Sequence, residues 1–345
     1  FKYLNIIFDR MNSIRCGNKG LINLGNTCYM NSVIQCLSHL LIFHPLNTEF
    51  FEECDNKNNC MIAEWFQFQR KMWSNDNNNS VNPLNILIQF QKDCKKYNMY
   101  FENFQQNDAD EFLILFLDFL HKSIRCSMKI ISNHKHDNPE IYKLIQNSYQ
   151  TWMRFYGQDY SYIVEQFYSQ LLSYTTCPLC EYYTTNHDPI QVISLEIPRK
   201  AENIIDCLKH YTRSITLDDD NLWTCDNCNQ KVKSEKKTIL WKTSDVLIIS
   251  LKRFKNGHKI NQFISFPEIL ELDDFSLNYG SNKNNKYSLQ SLAIHKGSLN
   301  SGHYYAICKN PIDKQWHEYN DTTEKIIDKK EIHKELPYLF FYKRC

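Results

Sequence analysis

Apolar residues fall at helical spacing through the first half of the chain and in short continuous runs through the second, which predicts an α+β protein whose lobes pack together. Met30, Val33, Ile34, Leu37, Leu40 and Leu41 recur every three or four positions behind the glycine-punctuated segment Gly20 to Thr27. Asn26 is suited to cap that helix, which places Cys28 in its first turn. Phe112, Leu115, Phe116, Phe119 and Leu120 repeat the spacing and predict a second helix within 104–120, with Asp108 and Glu111 spaced as a capping pair. Beyond Cys180 the runs at 192–197, 246–251 and 291–294 predict strands, and the unbroken apolar run 246–251 reads as a strand covered on both faces. Residues 74–80 read as an exposed, mobile polar loop. Residues 122–165 are polar, aromatic and irregular in pattern, and the histidines in 134–136 read as part of a solvated loop without chemistry.

Composition narrows the function classes. The 345 residues fit one large multi-lobed domain or two ordinary ones, and 42% hydrophobic content supports a substantial core. A net charge of +1 gives no electrostatic reason to expect nucleic acid or an anionic membrane as partner. No apolar run reaches the length of a membrane span. The first ten residues lack the pattern of a secretory leader, so a reducing cytoplasmic or nuclear setting is expected. Because residue 1 is not methionine, the chain is expected to be a fragment of a longer protein. In that setting fourteen cysteines suggest metal binding and catalysis rather than a disulfide scaffold.

The candidate chemistry is local. A cysteine in the first turn of a helix meets the positive end of the dipole, which with a nearby histidine lowers a thiol pKa into the reactive range. Cys177 and Cys180, with Cys225 and Cys228, form two C-x-x-C pairs, a pattern that closes a tetrahedral four-thiolate zinc site of structural type. A cysteine nucleophile also needs an imidazole and a group to orient it. The segment Ser301-Gly302-His303-Tyr304-Tyr305, followed by Trp316-His317-Glu318-Tyr319-Asn320-Asp321, offers His303 with Asn320 or Asp321.

Taken in order, these motifs resemble the ubiquitin-specific proteases, the papain-like cysteine deubiquitinases with thumb, palm and fingers. The resemblance covers roughly residues 20–344: a cysteine box at 20–37, a box at Gln106-Asn107-Asp108-Ala109-Asp110-Glu111, the four zinc cysteines, the 245–254 segment, the histidine box and the closing strand 338–344. It implies a catalytic domain at 20–345 behind an N-terminal extension at 1–19, with a helical thumb about 20–160, zinc-ribbon fingers about 165–245 and a palm about 246–345 plus neighbouring strands. It implies Cys28 as nucleophile, His303 as general base, Asn320 as the residue that orients it, Asp321 as a helper and Asn23 as oxyanion donor. It further implies that Asp108, Glu111, Gln106, His295, Gly302 and Tyr304 line the path of ubiquitin's C-terminal tail, and that the zinc ion is structural. Ubiquitin, ubiquitinated proteins or polyubiquitin are the implied partners, and a monomer is expected. Two positions depart from the usual pattern: Asn107 stands where a second glutamine is common, and Asp110 where a histidine is common.

Three other readings follow from the same residues. A catalytically silent ubiquitin-binding scaffold would keep the fold with a misaligned triad. A protease for another modifier ending in Gly-Gly would share tail recognition. A nucleic-acid-binding zinc ribbon would need a basic, aromatic surface that this composition does not suggest.

Overall fold

The computed structural model describes residues 17–41, 43, 60–101, 105, 107–127, 136–218, 220–255, 257–277, 279, 284–298 and 301–345. The chain divides into two compact units, each of mixed helix and strand: residues 1–125, 248–263 and 289–343 form one, and the remaining 126–247, 264–288 and 344–345 the other.

In the first unit the helices are α1 (Cys28–Ser38), α2 (Met61–Met72), α3 (Leu84–Lys96) and α4 (Ala109–Ile124). All eleven residues of α1 are buried. Its core position follows from its sequence, because each buried aliphatic side chain there stabilises by about 1.5–3 kcal/mol. Aromatic rings fill the space between the helices: Phe112 meets Tyr29 edge-on at 5.7 Å and stacks on Phe116 at 5.4 Å, while Phe90 lies 4.8 Å from Phe112. These contacts come from the face of α4 that the apolar spacing marks. The helix itself starts at Ala109, since the Asp108 carboxylate accepts the Asp110 N–H at 2.8 Å and caps it.

Asn26 does not cap α1. It sits in the left-handed region at φ 54°, and Thr27 is the N-cap. The Thr27 hydroxyl is spent on the turn itself, accepting from the Leu24 N–H at 2.9 Å and donating to Asn23 Oδ1 at 3.2 Å. Thr27 therefore gives the first-turn N–H groups of α1 no side-chain cap.

Against α1 lies an antiparallel succession of strands, in the order Thr323–Ile326, Trp316–Asn320, Gly302–Lys309 and Lys286–Gly297. The register pairs Ala306 with Tyr319 and Lys296 with His303. Strand Val246–Leu251 is buried along its whole length, as its unbroken apolar run requires. The polar loop at 74–80 is anchored near both ends: buried Lys19 donates to the Lys71 carbonyl, Ser74 Oγ and Asp76 Oδ1 at 2.7–2.9 Å, and the Gly20 N–H donates to the Asn79 carbonyl at 2.9 Å.

The second unit corrects the reading of 122–165 as irregular. It contains α5 (Pro139–Tyr156) and α6 (Tyr162–Phe167). Asn138 caps α5 through the Glu140 and Ile141 N–H groups with Pro139 in the first turn, and Ile145 packs with Leu172 and Trp241 in a local core. Only Ile145, Ser148 and Trp152 of its eighteen residues are buried, which explains the weak apolar signal. The long strands Ser169–Thr176, Tyr183–Ile190 and Glu235–Lys242 form an antiparallel sheet here. No helix among the described residues is long and apolar enough to cross a membrane.

Candidate active site

Cys28 is the first residue of α1 and is 6% exposed. Burial pushes its thiol above the ordinary range and the Asp321 carboxylate adds to that rise, while the backbone N–H groups of Tyr304, Tyr29 and Cys28 pull it back. Position at a helix start thus does not leave a free thiolate in the resting chain. The Tyr304 contact is informative in another way, because Tyr304 follows His303 directly and so sets the sulfur beside the histidine strand.

His303 and Asn320 come from adjacent strands, with His303 Nε2 lying 2.7 Å from Asn320 Oδ1. An amide oxygen only accepts, so Nε2 carries the hydrogen and Nδ1 keeps its lone pair for an incoming proton. Asp321 is farther, its Oδ2 standing 4.0 Å from His303 Nε2. Both of its carboxylate oxygens are engaged elsewhere: Asn23 Nδ2 donates to Oδ2 at 3.0 Å and Asn31 Nδ2 to Oδ1 at 2.9 Å. Asn23 Oδ1 in turn accepts the Gly25 and Thr27 N–H groups at 3.0 and 3.2 Å, which fixes the direction of its amide. Asn31 did not stand out in the sequence, although its position three residues after Cys28 on one helix face was the available signal.

Glycine is required at two nearby positions. A Cβ on Gly20 would overlap the backbone of Thr322, and one on Gly302 would overlap His295 Nε2. The first close approach accompanies the Leu21 N–H to Asp321 carbonyl bond at 2.6 Å, which holds the Asp321 turn at φ 47°.

His295, Gly302 and Tyr304 are gathered next to this group. The His295 ring lies 4.6 Å from that of Tyr304 and 5.2 Å from that of Phe254, and its Nδ1 has no hydrogen-bond partner among the described residues. Burial, Lys259 and His303 hold its pKa down at about 4, so the ring is neutral. On α4, Asp108 accepts the Tyr338 hydroxyl on both oxygens at 2.7 and 2.8 Å. Burial raises its pKa, with Tyr338 and the Asp110 N–H opposing. Asp110 is raised to about 6, chiefly by burial and also by Asp108, against a hydrogen bond from Ser250. Glu111 is exposed at the same helix start and is raised by partial burial and by Asp108. Gln106 lies outside the described residues.

In the other unit Cys177, Cys180, Cys225 and Cys228 bring four sulfurs within 4.8 Å of one another. Among the described residues no other group of histidine, cysteine and carboxylate donors is arranged to hold an ion. The two turns are built alike. The Cys177 N–H donates to the Tyr182 carbonyl at 2.8 Å and the Cys225 N–H to the Gln230 carbonyl at 3.0 Å, while Glu181 and Asn229 take φ 58° and 54° at equivalent places. Sulfur separations of 3.9 Å (Cys177 to Cys228) and 3.6 Å (Cys180 to Cys225) match the edge of about 3.8 Å that a tetrahedron with metal–sulfur bonds of about 2.3 Å would have. The cluster therefore fits a metal ion, and its all-thiolate donor set suits zinc.

The profile of the family described as "Ubiquitin carboxyl-terminal hydrolase" matches residues 19–342. The chain belongs to that family. Among curated relatives, ubiquitin carboxyl-terminal hydrolase 2 of Bos taurus is 30% identical over 351 residues, covering 97% of this chain and 56% of its own length. Ubiquitin carboxyl-terminal hydrolase Usp2 of Drosophila melanogaster is 32% identical over 332 residues, covering 94% and 34%. The chain thus spans between a third and just over half of these relatives. Among solved structures, the SAGA Ubp8/Sgf11/Sus1/Sgf73 DUB module bound to ubiquitin aldehyde superposes with TM-score 0.73 at 27% identity, covering 96% of this family member and 70% of that chain.

Proposed function

We propose that this chain is a cysteine-type ubiquitinyl hydrolase that cleaves the isopeptide or peptide bond after the C-terminal glycine of ubiquitin. The observation that carries the proposal is the 2.7 Å contact between His303 Nε2 and Asn320 Oδ1 on the strand whose Tyr304 N–H meets the Cys28 sulfur. It leaves His303 Nδ1 as the base for a thiol that burial keeps protonated at rest.

The Cys28 proton passes to His303 as the sulfur attacks the glycine carbonyl carbon, and the carbonyl oxygen becomes an oxyanion. One N–H of the Asn23 amide is held by Asp321, and the other, with the Cys28 backbone N–H, stabilises that oxyanion. Collapse breaks the C–N bond as His303 returns the proton to the departing lysine amine. Water then attacks the thioester with His303 again as base, which releases ubiquitin and restores the Cys28 thiol. Asp108 and Glu111 provide negative charge for the basic tail, and His295, Gly302 and Tyr304 line its path.

Cys177, Cys180, Cys225 and Cys228 hold a structural Zn²⁺, which when bound supplies a cross-link between two turns and no step of the chemistry. The zinc-bearing unit serves as the fingers that cup the globular body of ubiquitin, and a reducing intracellular compartment suits the free thiols. The direct test is reaction with ubiquitin bearing a C-terminal electrophile, followed by mass spectrometry. A single adduct on the Cys28 peptide is expected; an adduct on another cysteine, or none with folded protein, would overturn the assignment.

A further inference from the structure

Behind the strand that carries Asn320 lies a buried polar pair that this chemistry does not use. His39 caps the C-terminal end of α1 and is 1% exposed. Its Nδ1 lies 2.8 Å from the Gln35 carbonyl oxygen, and its Nε2 lies 2.8 Å from the hydroxyl of Tyr319, which is 2% exposed. A carbonyl only accepts, so Nδ1 carries a hydrogen. The neutral ring then offers Nε2 as acceptor and Tyr319 donates to it. The two rings lie 4.7 Å apart, and the Trp73 ring packs 5.2 Å from that of His39. Asn18 Oδ1 is a second, longer acceptor for the same hydroxyl at 3.3 Å and itself accepts from Asn310 Nδ2 at 2.7 Å, so polar groups surround the pair.

The placement matters more than the bond. Tyr319 immediately precedes Asn320 in one strand, so the two side chains leave opposite faces of it. Cys28 begins α1 and His39 ends it. Apolar packing holds the helix against the sheet without directional preference, whereas a buried hydrogen bond penalises sliding or rotation because it would leave polar atoms unpaired. The helix is a rigid rod of about 16 Å at 1.5 Å per residue, so a fixed point at its far end limits its rotation and translation at the near end.

We propose that His39 and Tyr319 are a positioning pair, whose hydrogen bond sets the Cys28 helix against the strand that presents Asn320. The inference rests on the reading of Cys28, His303 and Asn320 as the catalytic group.

The test compares Tyr319→Phe, His39→Leu, the double variant and His39→Gln, which retains an acceptor for the hydroxyl. One readout is kcat and KM on ubiquitin carrying a fluorogenic C-terminal amide. The other is the pH dependence of Cys28 alkylation by iodoacetamide, followed on the Cys28 peptide, which needs no ubiquitin. Tyr319→Phe and His39→Leu should each lower kcat about tenfold with KM changed less than about twofold. Both should move the alkylation profile, and the double variant should lose no more than the worse single. His39→Gln should stay within about threefold of the unsubstituted chain.

A folded Tyr319→Phe chain with unchanged kcat and alkylation profile overturns the proposal, as do losses that multiply in the double variant. Should Tyr319→Phe fail to fold, His39→Gln against His39→Leu makes the same comparison. If the unsubstituted chain does not hydrolyse ubiquitin amide, the functional reading fails separately and the alkylation profiles alone decide the pair.

Discussion

Asp321 holds Asn23, not His303. Its Oδ2 accepts the Asn23 amide at 3.0 Å, whereas His303 Nε2 is 4.0 Å from that oxygen and 2.7 Å from Asn320. The two adjacent residues therefore serve different halves of the site: Asn320 orients the base, and Asp321 aims the amide that meets the oxyanion.

Asn23→Ala and Asp321→Ala should each lower kcat by about 10²- to 10³-fold with little change in KM, the loss typical of one oxyanion donor. Because they act through one amide, the double variant should be no slower than the worse single. Asn320→Ala should instead alter the pH dependence of kcat/KM, since it frees the His303 tautomer. Multiplying losses for Asn23 and Asp321 would refute the division of labour.

Gly20→Ala should damage the site without touching the reacting groups. The added methyl meets the Thr322 backbone next to Asp321, so the turn must move. Overpacking of this kind costs about 1–3 kcal/mol, and the displaced Asp321 should lower kcat as well. Urea unfolding together with turnover checks both effects; an unchanged midpoint with full activity would show that the turn yields freely.

Asp110 should make the fold sensitive to pH. Its pKa of about 6 in the folded chain stands above the unfolded carboxylate range, so the native state binds the proton more tightly. The stabilisation this linkage supplies is complete below about pH 4, is lost as pH rises toward 6, and leaves the ionised group less favourable in the fold above that. Asp110→Asn should therefore be more stable than the unsubstituted chain at pH 7.5, on the order of 1–2 kcal/mol, with the gap closing near pH 4.5. Denaturant midpoints at the two pH values test it, and a gap of the same size at both would refute it.

Removing the metal should separate stability from nucleophile chemistry. Cys177→Ser, or a strong zinc chelator, should lower the melting temperature and weaken ubiquitin binding, while folded protein keeps alkylation at Cys28. Loss of alkylation in a variant that remains folded would show that the four-cysteine cluster supports the catalytic unit directly.

What could be read from the sequence was what is encoded locally. The Cys28 helix, the buried strand at 246–251 and the paired C-x-x-C turns each carry their signal within a dozen residues. Helix α5 was missed because only three of its residues are buried, even though Asn138 and Pro139 mark its start. The cap at Asn26 was misplaced because residue type alone does not reveal that Thr27 follows a left-handed turn. The depressed thiol pKa expected of a helix start gave way to burial, a property of the assembled core. Contacts such as Asn31 to Asp321 and His39 to Tyr319 join residues 290 and 280 positions apart, and no local pattern announces them.

The most direct measurement is hydrolysis of ubiquitin carrying a fluorogenic C-terminal amide by the zinc-loaded chain in reductant, compared with Cys28→Ala. The assignment predicts turnover by the first and none above background by the second. Equal rates in the two, or no turnover by the folded, zinc-loaded chain, would contradict it.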